Sequence, residues 1–180
     1  MPIYPFEGIL PQIDPSAFVH PEAVVIGDVH IGPESSIWPG TIIRGDVNPI
    51  RIGAWSNIQD GSILHVTRPT PSRPNGIPLI IGDRVIIGHH VNLHACHLMD
   101  DCMIGIGAIV LDGAVVESTA MVGAGSLIPP GKRVSAGTLW IGSPAKPLRP
   151  LSPEEQDAMR ATMESYRGLA KRHMASLHHT

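Results

Sequence analysis

The 180-residue sequence predicts a parallel β-helix, a solenoid in which each coil stacks on the one before it. The first observation behind this prediction is a run of aliphatic residues that recur mostly every six positions. An α-helix repeats about every 3.6 residues and a β-strand about every two, so a sustained period of six belongs to neither element alone. Three six-residue sides instead make one coil of a triangular solenoid, with the aliphatic side chains pointing inward. The sixteen aliphatic positions are Ile31, Ile37, Ile43, Ile52, Ile58, Leu64, Ile81, Ile87, Leu93, Leu98, Ile104, Val110, Val116, Val122, Ile128 and Val134.

A second observation is that a small or β-branched residue follows most of these aliphatics by four positions. We expect these side chains to pack near the corners of the triangle, where there is little room. A third is the composition, with 19 Gly and 18 Pro for frequent turns and only 4% aromatic residues, as suits a narrow solenoid. The small or β-branched positions are Ser35, Thr41, Ser56, Ser62, Val85, Val91, Ala108, Ala114, Ala120 and Ser126.

Length and charge limit the remaining possibilities. A chain of 180 residues is one domain by length, and 13 basic against 16 acidic residues give no electrostatic basis for binding nucleic acid. The N-terminal segment lacks the basic residues and apolar run of a signal peptide, and no stretch approaches a transmembrane length. We therefore expect a cytoplasmic protein with no membrane contact. Cys96 and Cys102 are expected to be small buried core residues that form no disulfide.

The solenoid is predicted to run from Phe18 to Ile141, after a proline-rich lead-in at 1–17 that we expect to lie over the first coil. Two interruptions break the six-residue period. Three extra residues lie around 46–49, and eleven extra residues lie in the segment 66–78, which contains four prolines. Residues in excess of the period must leave the coil, so the first is predicted to be a bulge and the second a loop within 66–80.

A helix is predicted in a second unit, residues 152–180, which follows the β-helix unit with its lead-in and loop at 1–151. Ser152 is the expected N-cap, Pro153 takes the first helical position, and Glu155 completes a capping box. One face of this helix is apolar and the other is mixed in charge. We therefore expect it to pack back along the solenoid rather than enter a membrane. The apolar positions are Met159, Met163, Tyr166, Ala170 and Leu177.

Residues eighteen apart stack directly in such a solenoid once the expelled residues are subtracted. His65 and His94 are 29 positions apart, and removing the eleven-residue excess leaves eighteen. Arg44 and His65 are 21 apart, and removing the three-residue bulge again leaves eighteen. These three residues are therefore predicted to form a column, at the spacing of about 4.8 Å between neighbouring strands. The same subtraction stacks Asp60 under His89.

Two histidines stacked on one outer edge favour a shared divalent cation, because imidazole nitrogen is a common zinc ligand. His89 belongs to an adjacent side of the triangle, so one chain offers only two ligands to one ion. A second copy can supply its His89, and three copies around a threefold axis would form three identical sites. The alternative is that these are solvated edge histidines. The seven histidines expected to be surface or packing residues are His20, His30, His90, His97, His173, His178 and His179.

Four segments of the sequence resemble the γ-class carbonic anhydrase family: IIRGDVN at 42–48, NIQDGSILHV at 57–66, IGHHVNLHAC at 87–96 and LWIGSPAK at 139–146. The likeness covers nearly the whole chain and is strongest to the short bacterial branch that lacks an extended acidic loop. It implies a left-handed parallel β-helix that forms a homotrimer. It also implies reversible hydration of CO2 to bicarbonate by a metal-bound hydroxide.

The resemblance further implies roles for particular residues. Zinc, or alternatively Fe2+ or Co2+, would be bound by His65 and His94 of one subunit and by His89 of its neighbour. The polar residues would act around that ion: Arg44 would pair with Asp46 and with Asp60 of an adjacent subunit, Gln59 would orient the water at the metal, and Asn57 would contact bicarbonate or CO2.

The sequence departs from the archaeal prototype of the family where protons are transferred. Val47 stands where the prototype carries a glutamate, and the segment 66–80 contains no Asp or Glu while Arg68 and Arg73 make it basic. His90 is a candidate substitute for carrying the proton. The sequence therefore supports metal binding more strongly than fast CO2 hydration.

Two other functions stay open from the sequence. A metal-binding trimeric scaffold or binding protein with little or no hydratase activity would use the same histidines. A hexapeptide acyltransferase would use the same solenoid, with a histidine as general base and acyl-CoA lying along the coils. Acyl transfer requires neither two stacked histidines nor the Arg44 column, so it ranks below the other two functions.

Overall fold

Successive coils of the chain stack on one another through parallel strand pairs. A computed structural model describes residues 2–177, and within them shows a left-handed parallel β-helix of about eight turns followed by one α-helix, which confirms the predicted fold class. A larger sheet covers two sides of the triangle and a smaller sheet covers the third. The larger sheet contains β1 (Ile3–Tyr4), β2 (Gln12–Ile13), β4 (Val24–Ile31), β6 (Ile42–Ile52), β8 (Ile63–His65), β9 (Leu79–Ile81), β11 (Asn92–His94), β12 (His97–Leu98), β14 (Ile109–Val110), β15 (Val115–Val116), β17 (Leu127–Ile128) and β18 (Arg133–Val134). The smaller sheet contains β3 (Phe18–Val19), β5 (Ser36–Ile37), β7 (Asn57–Ile58), β10 (Ile86–Ile87), β13 (Met103–Ile104), β16 (Met121–Val122), β19 (Thr138–Gly142) and β20 (Ala145–Pro150). The helix is α1 (Pro153–Leu177).

The aliphatic core runs the length of the solenoid. All sixteen aliphatics that set the six-residue period are buried, and none is more than 2% exposed. The small and β-branched corner residues are buried with them. Most strands contain only two or three residues and are too short to be stable alone, so the stack of coils stabilises the fold. Cys96 and Cys102 lie in the same core as free thiols, and burial raises the pKa of both.

Buried hydroxyl groups tie the corners of neighbouring coils together. The Ser56 hydroxyl donates to the carbonyl oxygen of Gly82 (2.8 Å) and accepts a hydrogen bond from the backbone N–H of Val85 (2.9 Å). Ser62 makes the equivalent pair of hydrogen bonds at the next corner. These hydroxyls therefore satisfy backbone groups that would otherwise be buried without a partner.

Both interruptions of the period leave the coil, as predicted. β4 pairs with the two ends of β6 on either side of residues 46–49, which bulge outward and are called the bulge below. Residues 66–78, called the loop, leave the coil after β8 and return at β9. Backbone hydrogen bonds between Thr67 and Ile77 close the base of the loop.

The N-terminal lead-in does more than cover the first coil. β1 and β2 both pair in parallel with β4, so the lead-in adds strands to the larger sheet. Between these two strands, Phe6 and Ile9 exchange backbone hydrogen bonds across a tight turn. The sequence did not predict this pairing because two-residue strands leave no periodic signal.

An antiparallel hairpin ends the smaller sheet, and the sequence did not predict it either. β20 folds back on β19, whereas every other strand pair in this sheet is parallel within the described residues. Its sequence, AKPLRP, contains two prolines and no alternation of polar and apolar residues. Proline is tolerated there because β20 is the outermost strand.

The α-helix begins as the capping residues predicted. The backbone N–H of Ser152 donates to Glu155 Oε2 (2.9 Å), and the backbone N–H of Glu155 donates to Ser152 Oγ (3.3 Å). Met159, Met163 and Ala170 are buried against the solenoid. Among the described residues no helix is both long and apolar enough to cross a membrane.

The prediction that Leu177 lies on the buried face was wrong, because its side chain is 40% exposed. Leu177 lies beside Phe18 and the lead-in, where the smaller sheet begins and offers no further strand to cover the helix. His178, His179 and the last residue of the predicted unit 152–180 lie outside the described residues.

One edge of the triangle, which we call the anchor edge, is built largely from residues other than glycine in the left-handed region. Such a conformation costs roughly 1–2 kcal/mol for a residue that carries a Cβ. Glycine takes most of the equivalent positions on the other two edges. The residues of the anchor edge are Glu34, Trp55, Arg84, Asp101 and Thr119, with φ between 51° and 61°.

The anchor edge holds α1 against the solenoid. Arg167 of α1 donates from Nε and Nη2 to the Glu34 carboxylate at 2.7 and 3.0 Å, and its guanidinium lies 4.0 Å from the centre of the Trp55 ring. Lys171 Nζ lies 2.9 Å from the same carboxylate. Hydrogen bonds from Arg167 and then Lys171 lower the pKa of Glu34 to about 2.

Removing the hydroxyl of Ser56 is expected to destabilise the solenoid. Ser56→Ala leaves the carbonyl of Gly82 and the N–H of Val85 buried without their partner, which should lower the free energy of unfolding by about 1–3 kcal/mol. Urea denaturation followed by circular dichroism measures the change. Ser165→Ala, at an exposed position of α1, is the control. Equal stability of the two variants would contradict the role of the buried hydroxyl.

The attachment of α1 is expected to weaken in acid. The pKa of Glu34 is lower in the folded chain than its ordinary value of 4.5, so its ion pair stabilises the fold above pH 4.5. This stabilisation is lost as the pH falls through about 2. Glu34→Gln should therefore be less stable than the wild type near neutral pH, by a difference that shrinks between pH 4.5 and 2.

Urea midpoints of the wild type and Glu34→Gln across that pH range measure the difference. Glu22→Gln removes another exposed carboxylate, in the turn after His20, and is the matched control. A difference between wild type and Glu34→Gln that does not change with pH would show that the carboxylate charge is not what attaches the helix.

Candidate metal centre

His65 and His94 lie side by side at the ends of two neighbouring strands. β8 and β11 pair in register, with His65 opposite His94, which confirms the predicted stacking. The ring centres are 5.3 Å apart, and Nδ1 of His65 faces Nε2 of His94 at 3.3 Å. Two nitrogens bound at about 2.0–2.1 Å to one tetrahedral ion lie about 3.3 Å apart. The spacing of the two facing nitrogens therefore fits a shared metal ion.

The far nitrogen of each ring contacts a carboxylate. His65 Nε2 lies 3.0 Å from Asp46 Oδ1, and His94 Nδ1 lies 2.9 Å from Asp112 Oδ2. An ionised carboxylate only accepts hydrogen bonds, so in each neutral ring the proton sits on the far nitrogen. The two facing nitrogens then both present lone pairs, an arrangement that is favourable with a cation between them. Histidine ligands of metals are commonly oriented by carboxylates in this way.

His89 shows the same pattern at a separate place. It follows β10, and its Nδ1 lies 2.8 Å from Asp60 Oδ2, which leaves Nε2 available. No three His, Cys, Asp or Glu side chains within residues 2–177 of a single chain are grouped so as to hold a metal ion. One chain therefore presents a histidine pair at one place and a single carboxylate-backed histidine at another.

Arg44 and Asp46 supply charge beside the histidine pair. Arg44 forms an ion pair with Asp46 at the start of the bulge, as the resemblance implied. Burial alone would raise the pKa of Asp46, but hydrogen bonds from Arg44 and His65 lower it below its ordinary value. Asp60 contacts His89 within the same chain, and its pairing with Arg44 of another subunit stays a prediction.

Asn57 lies on β7 of the smaller sheet and Gln59 directly follows this strand, on the side of the triangle where His89 follows β10. Asn57 and Gln59 are 2% and 5% exposed, and Gln59 Nε2 donates to Asn57 Oδ1 at 3.0 Å. Asn57 Nδ2 is buried and has no hydrogen-bond partner in the described part of the chain. Buried donors are nearly always paired, so this amide is suited to a ligand oxygen or a water. Gln59 directly precedes Asp60, the partner of His89.

A stripe of exposed apolar side chains runs along the solenoid face that carries the histidine pair. Pairing of β6, β8, β11, β14 and β17 aligns one outward position on each strand. Three of these positions are apolar and strongly exposed, namely Ile42 (39%), Ile63 (45%) and Ile109 (36%). Asn92 lies between Ile63 and Ile109 in this row, so the row is mainly but not continuously apolar. Exposed apolar side chains grouped in this way are typical of a protein interface.

His90, the candidate proton carrier, is exposed at the corner directly after His89. Its ring lies against Gly61 of the coil below, where a Cβ on Gly61 would come within 2.5 Å of His90 Nδ1. The role of His90 stays a prediction.

Asp112 and Thr67 complete the surroundings of the histidine pair, and the sequence reasoning missed both. Thr67 Oγ1 donates to Asp112 Oδ1. Burial alone would raise the pKa of Asp112, but hydrogen bonds from Thr67 and His94 lower it. Asp112 lies eighteen residues after His94, so extending the same count upward from the histidines would have found it. Thr67 belongs to the loop, where the repeat gives no position.

Comparison with known protein sequences identifies the family of this chain. The chain is 47% identical to protein YrdA of Escherichia coli over 162 residues, which are 90% of this chain and 88% of that protein. It is also 47% identical over 165 residues to gamma carbonic anhydrase 1, a mitochondrial protein of Arabidopsis thaliana. The chain belongs to the γ-class carbonic anhydrase family. This γ-class chain spans about 60% of the length of the Arabidopsis protein. No family model matches it.

Two solved structures share the fold of this γ-class chain. A Bacillus cereus protein provisionally assigned as an acetyltransferase is 42% identical, with a TM-score of 0.90 over 96% of each chain. A hexapeptide transferase family protein from Anaplasma phagocytophilum is 41% identical, with a TM-score of 0.87 over 94% of this chain and 96% of that one.

Replacing both buried amides by apolar residues of similar size is expected to leave stability unchanged or to raise it. Asn57→Leu with Gln59→Met removes the unpartnered donor together with its neighbour. Asn57→Leu alone leaves Gln59 Nε2 without its acceptor and should cost about 1–3 kcal/mol. Urea denaturation compares the two variants. A double variant less stable than the single one would show that the amides are retained for stability and not for a ligand.

Proposed function

We propose that this chain forms a homotrimer that reversibly hydrates CO2 to bicarbonate at three metal sites between subunits. The observation that carries the proposal is the carboxylate-backed histidine pair, whose two lone-pair nitrogens face each other at 3.3 Å. Membership of the γ-class carbonic anhydrase family supports the reaction and implies a metal cofactor. A cytoplasmic location stays a prediction, since two of the relatives are named as mitochondrial.

The metal would be held by His65 and His94 of one subunit and His89 of its neighbour. Three imidazole nitrogens are one of the ligand sets found at catalytic zinc sites, and Zn2+ is our first candidate ahead of Fe2+ and Co2+. The chemistry that the ion would supply there is a water of pKa about 7, which can provide hydroxide as the nucleophile for CO2.

Division of the site between subunits is supported by two features of the chain. Three potential ligands are not grouped within residues 2–177 of one copy, although each predicted histidine ligand has its own carboxylate partner. The apolar stripe beside the histidine pair offers a surface on which a second copy can pack. In a cyclic trimer, each of the three interfaces would bring His89 of one copy to the histidine pair of the next copy.

The protein's own groups would orient the reactants. Each histidine ring is fixed by a carboxylate that accepts a hydrogen bond from its N–H group. These carboxylates are Asp46 for His65, Asp60 for His89 and Asp112 for His94. The ion pair with Arg44 keeps Asp46 ionised. Asn57 and Gln59 would come from the subunit that supplies His89. The Asn57 amide can donate its unused N–H to an oxygen of CO2 or bicarbonate, while Gln59 holds it in place.

Protons must leave the site in each turnover, and the chain offers few groups for this. Val47 in the bulge is exposed and cannot ionise, and the loop contains no acid. His90, exposed beside His89, is the candidate carrier within the chain. We therefore expect hydration to depend on buffer, which can accept the proton directly.

Acyl transfer is a second candidate because the Bacillus cereus and Anaplasma relatives are named as transferases at 41–42% identity. The paired histidines each held by a carboxylate favour metal binding over a single general base. The third candidate, a metal-binding scaffold with little hydratase activity, shares the metal site and differs only in turnover.

Mixed trimers of two inactive variants are expected to regain metal and activity. His89→Ala lacks the single ligand and His94→Ala lacks half of the pair, so trimers of either variant should lose the metal. In a trimer that contains both variants, one of the three interfaces joins an intact pair to an intact His89. Random mixing should therefore restore about a quarter of the wild-type metal content and of CO2 hydration.

Metal analysis and stopped-flow CO2 hydration at several buffer concentrations measure this restoration. Mixed trimers that stay metal-free would show that the ligands do not come from two subunits. A wild-type trimer that is fully loaded yet inactive at every buffer concentration would favour the scaffold. Binding of acetyl-CoA to a metal-free wild-type chain would favour acyl transfer.

A further inference from the structure

We propose that Asp112 and Thr67 are positioning residues that fix His94 as a metal ligand and connect it to the loop. The inference rests on the proposed metal site, and it concerns residues outside the ligand set and the Arg44 column. The loop would then control how tightly the metal is held.

Asp112 uses its two oxygens on opposite sides. Oδ2 lies 2.9 Å from His94 Nδ1, and Oδ1 accepts a hydrogen bond from Thr67 Oγ1. The first contact places the ring proton on Nδ1 and leaves the Nε2 lone pair directed at His65. The second contact prevents the carboxylate from rotating away from the ring. Without it, either oxygen could turn to solvent, since the Asp112 side chain is 30% exposed.

Thr67 is itself fixed by the loop. Its backbone exchanges two hydrogen bonds with Ile77, both 3.0 Å long, and its carbonyl oxygen accepts from Asn48 Nδ2 at 3.2 Å. The same Asn48 amide donates to the carbonyl of Asn75 at 2.7 Å. Asn48 belongs to the bulge, so the base of the loop is clamped to the bulge by one side chain.

The histidine pair is therefore held from both sides by the segments that interrupt the repeat. On one side, Asp46 of the bulge contacts His65. On the other, Thr67 of the loop holds Asp112, which contacts His94. Asn48 joins the two segments, so that a change in the loop is transmitted to the ring of His94 through two hydrogen bonds.

Gly76 allows this effect to be tested without substituting Thr67, Asp112 or a proposed metal ligand. Its φ is +59°, and a Cβ there would lie 2.3 Å from the carbonyl oxygen of Thr67 and 2.4 Å from Asn48 Nδ2. Gly76→Ala must therefore displace the clamp. Gly125→Ala is the matched control, because its φ of +66° carries the same backbone strain while its Cβ would meet nothing within 4 Å.

The experiment measures Zn2+ affinity of purified trimers by competition with a chromophoric chelator, together with nitrogen-15 NMR of the His94 ring in metal-free protein. Loss of an outer carboxylate partner commonly weakens metal binding about 10- to 100-fold. Asp112→Ala should show a loss of this size and a shift of the His94 proton away from Nδ1. Thr67→Val should weaken binding in the same direction, and Thr67→Ser should restore it.

Gly76→Ala should resemble Thr67→Val, while Gly125→Ala and Asp100→Asn should bind Zn2+ like the wild type. Asp100 caps the backbone N–H of Asp83 at a distant corner, so its variant controls for the loss of a structural carboxylate. Wild-type Zn2+ affinity and an unchanged His94 tautomer in Asp112→Ala and Thr67→Val would overturn the inference. A wild-type trimer that binds no Zn2+ would overturn the proposed function instead, and the His94 tautomer in metal-free protein would still test Asp112.

Discussion

The hydrogen-bonded register between successive coils fixes where every outward side chain of this protein lies. A residue on one coil has its neighbours one strand separation, about 4.8 Å, above and below. His65 faces His94 only because the coil between them counts eighteen residues after the loop is expelled. A shift of one residue in either strand would turn the histidine of that strand towards the core. The aliphatic core prevents that shift, since it would expose buried Ile and Leu side chains on the same coils.

The two segments that break the repeat, the bulge and the loop, lie beside the histidine pair. A uniform solenoid offers columns of identical environment, which cannot orient two imidazole rings differently. The bulge supplies Asp46 to His65, and the loop supplies Thr67 to the partner of His94. Regular coils thus set the spacing of the two rings and bring Asp112 to His94, while the irregular segments bring Asp46 to His65 and hold Asp112 in place.

Counting along the sequence was enough to predict the β-helix, the bulge, the loop, the capped helix and the stacking of His65 on His94. Each of these follows from the six-residue period or from local capping chemistry. Thr67 and the Glu34–Arg167 contact were not predictable in this way, because the loop has no period and the contact joins residues 133 positions apart. Hairpin strand β20 was missed because its prolines hide an outermost strand that pairs antiparallel. Exposure of Leu177, which was predicted on the buried face, shows that the apolar face of a helix can extend beyond the sheet that it covers.

The anchor edge has a consequence for the modularity of the chain. Its non-glycine corners adopt a backbone conformation that is unfavourable for them, and Glu34 and Trp55 are held there by contacts to Arg167. A truncated solenoid that ended at Pro150 would keep the strained corners and lose those contacts. The helix and the coils are therefore not interchangeable parts. Grafting this helix onto another solenoid, or deleting it to make a minimal scaffold, would require the corners to be redesigned as glycine.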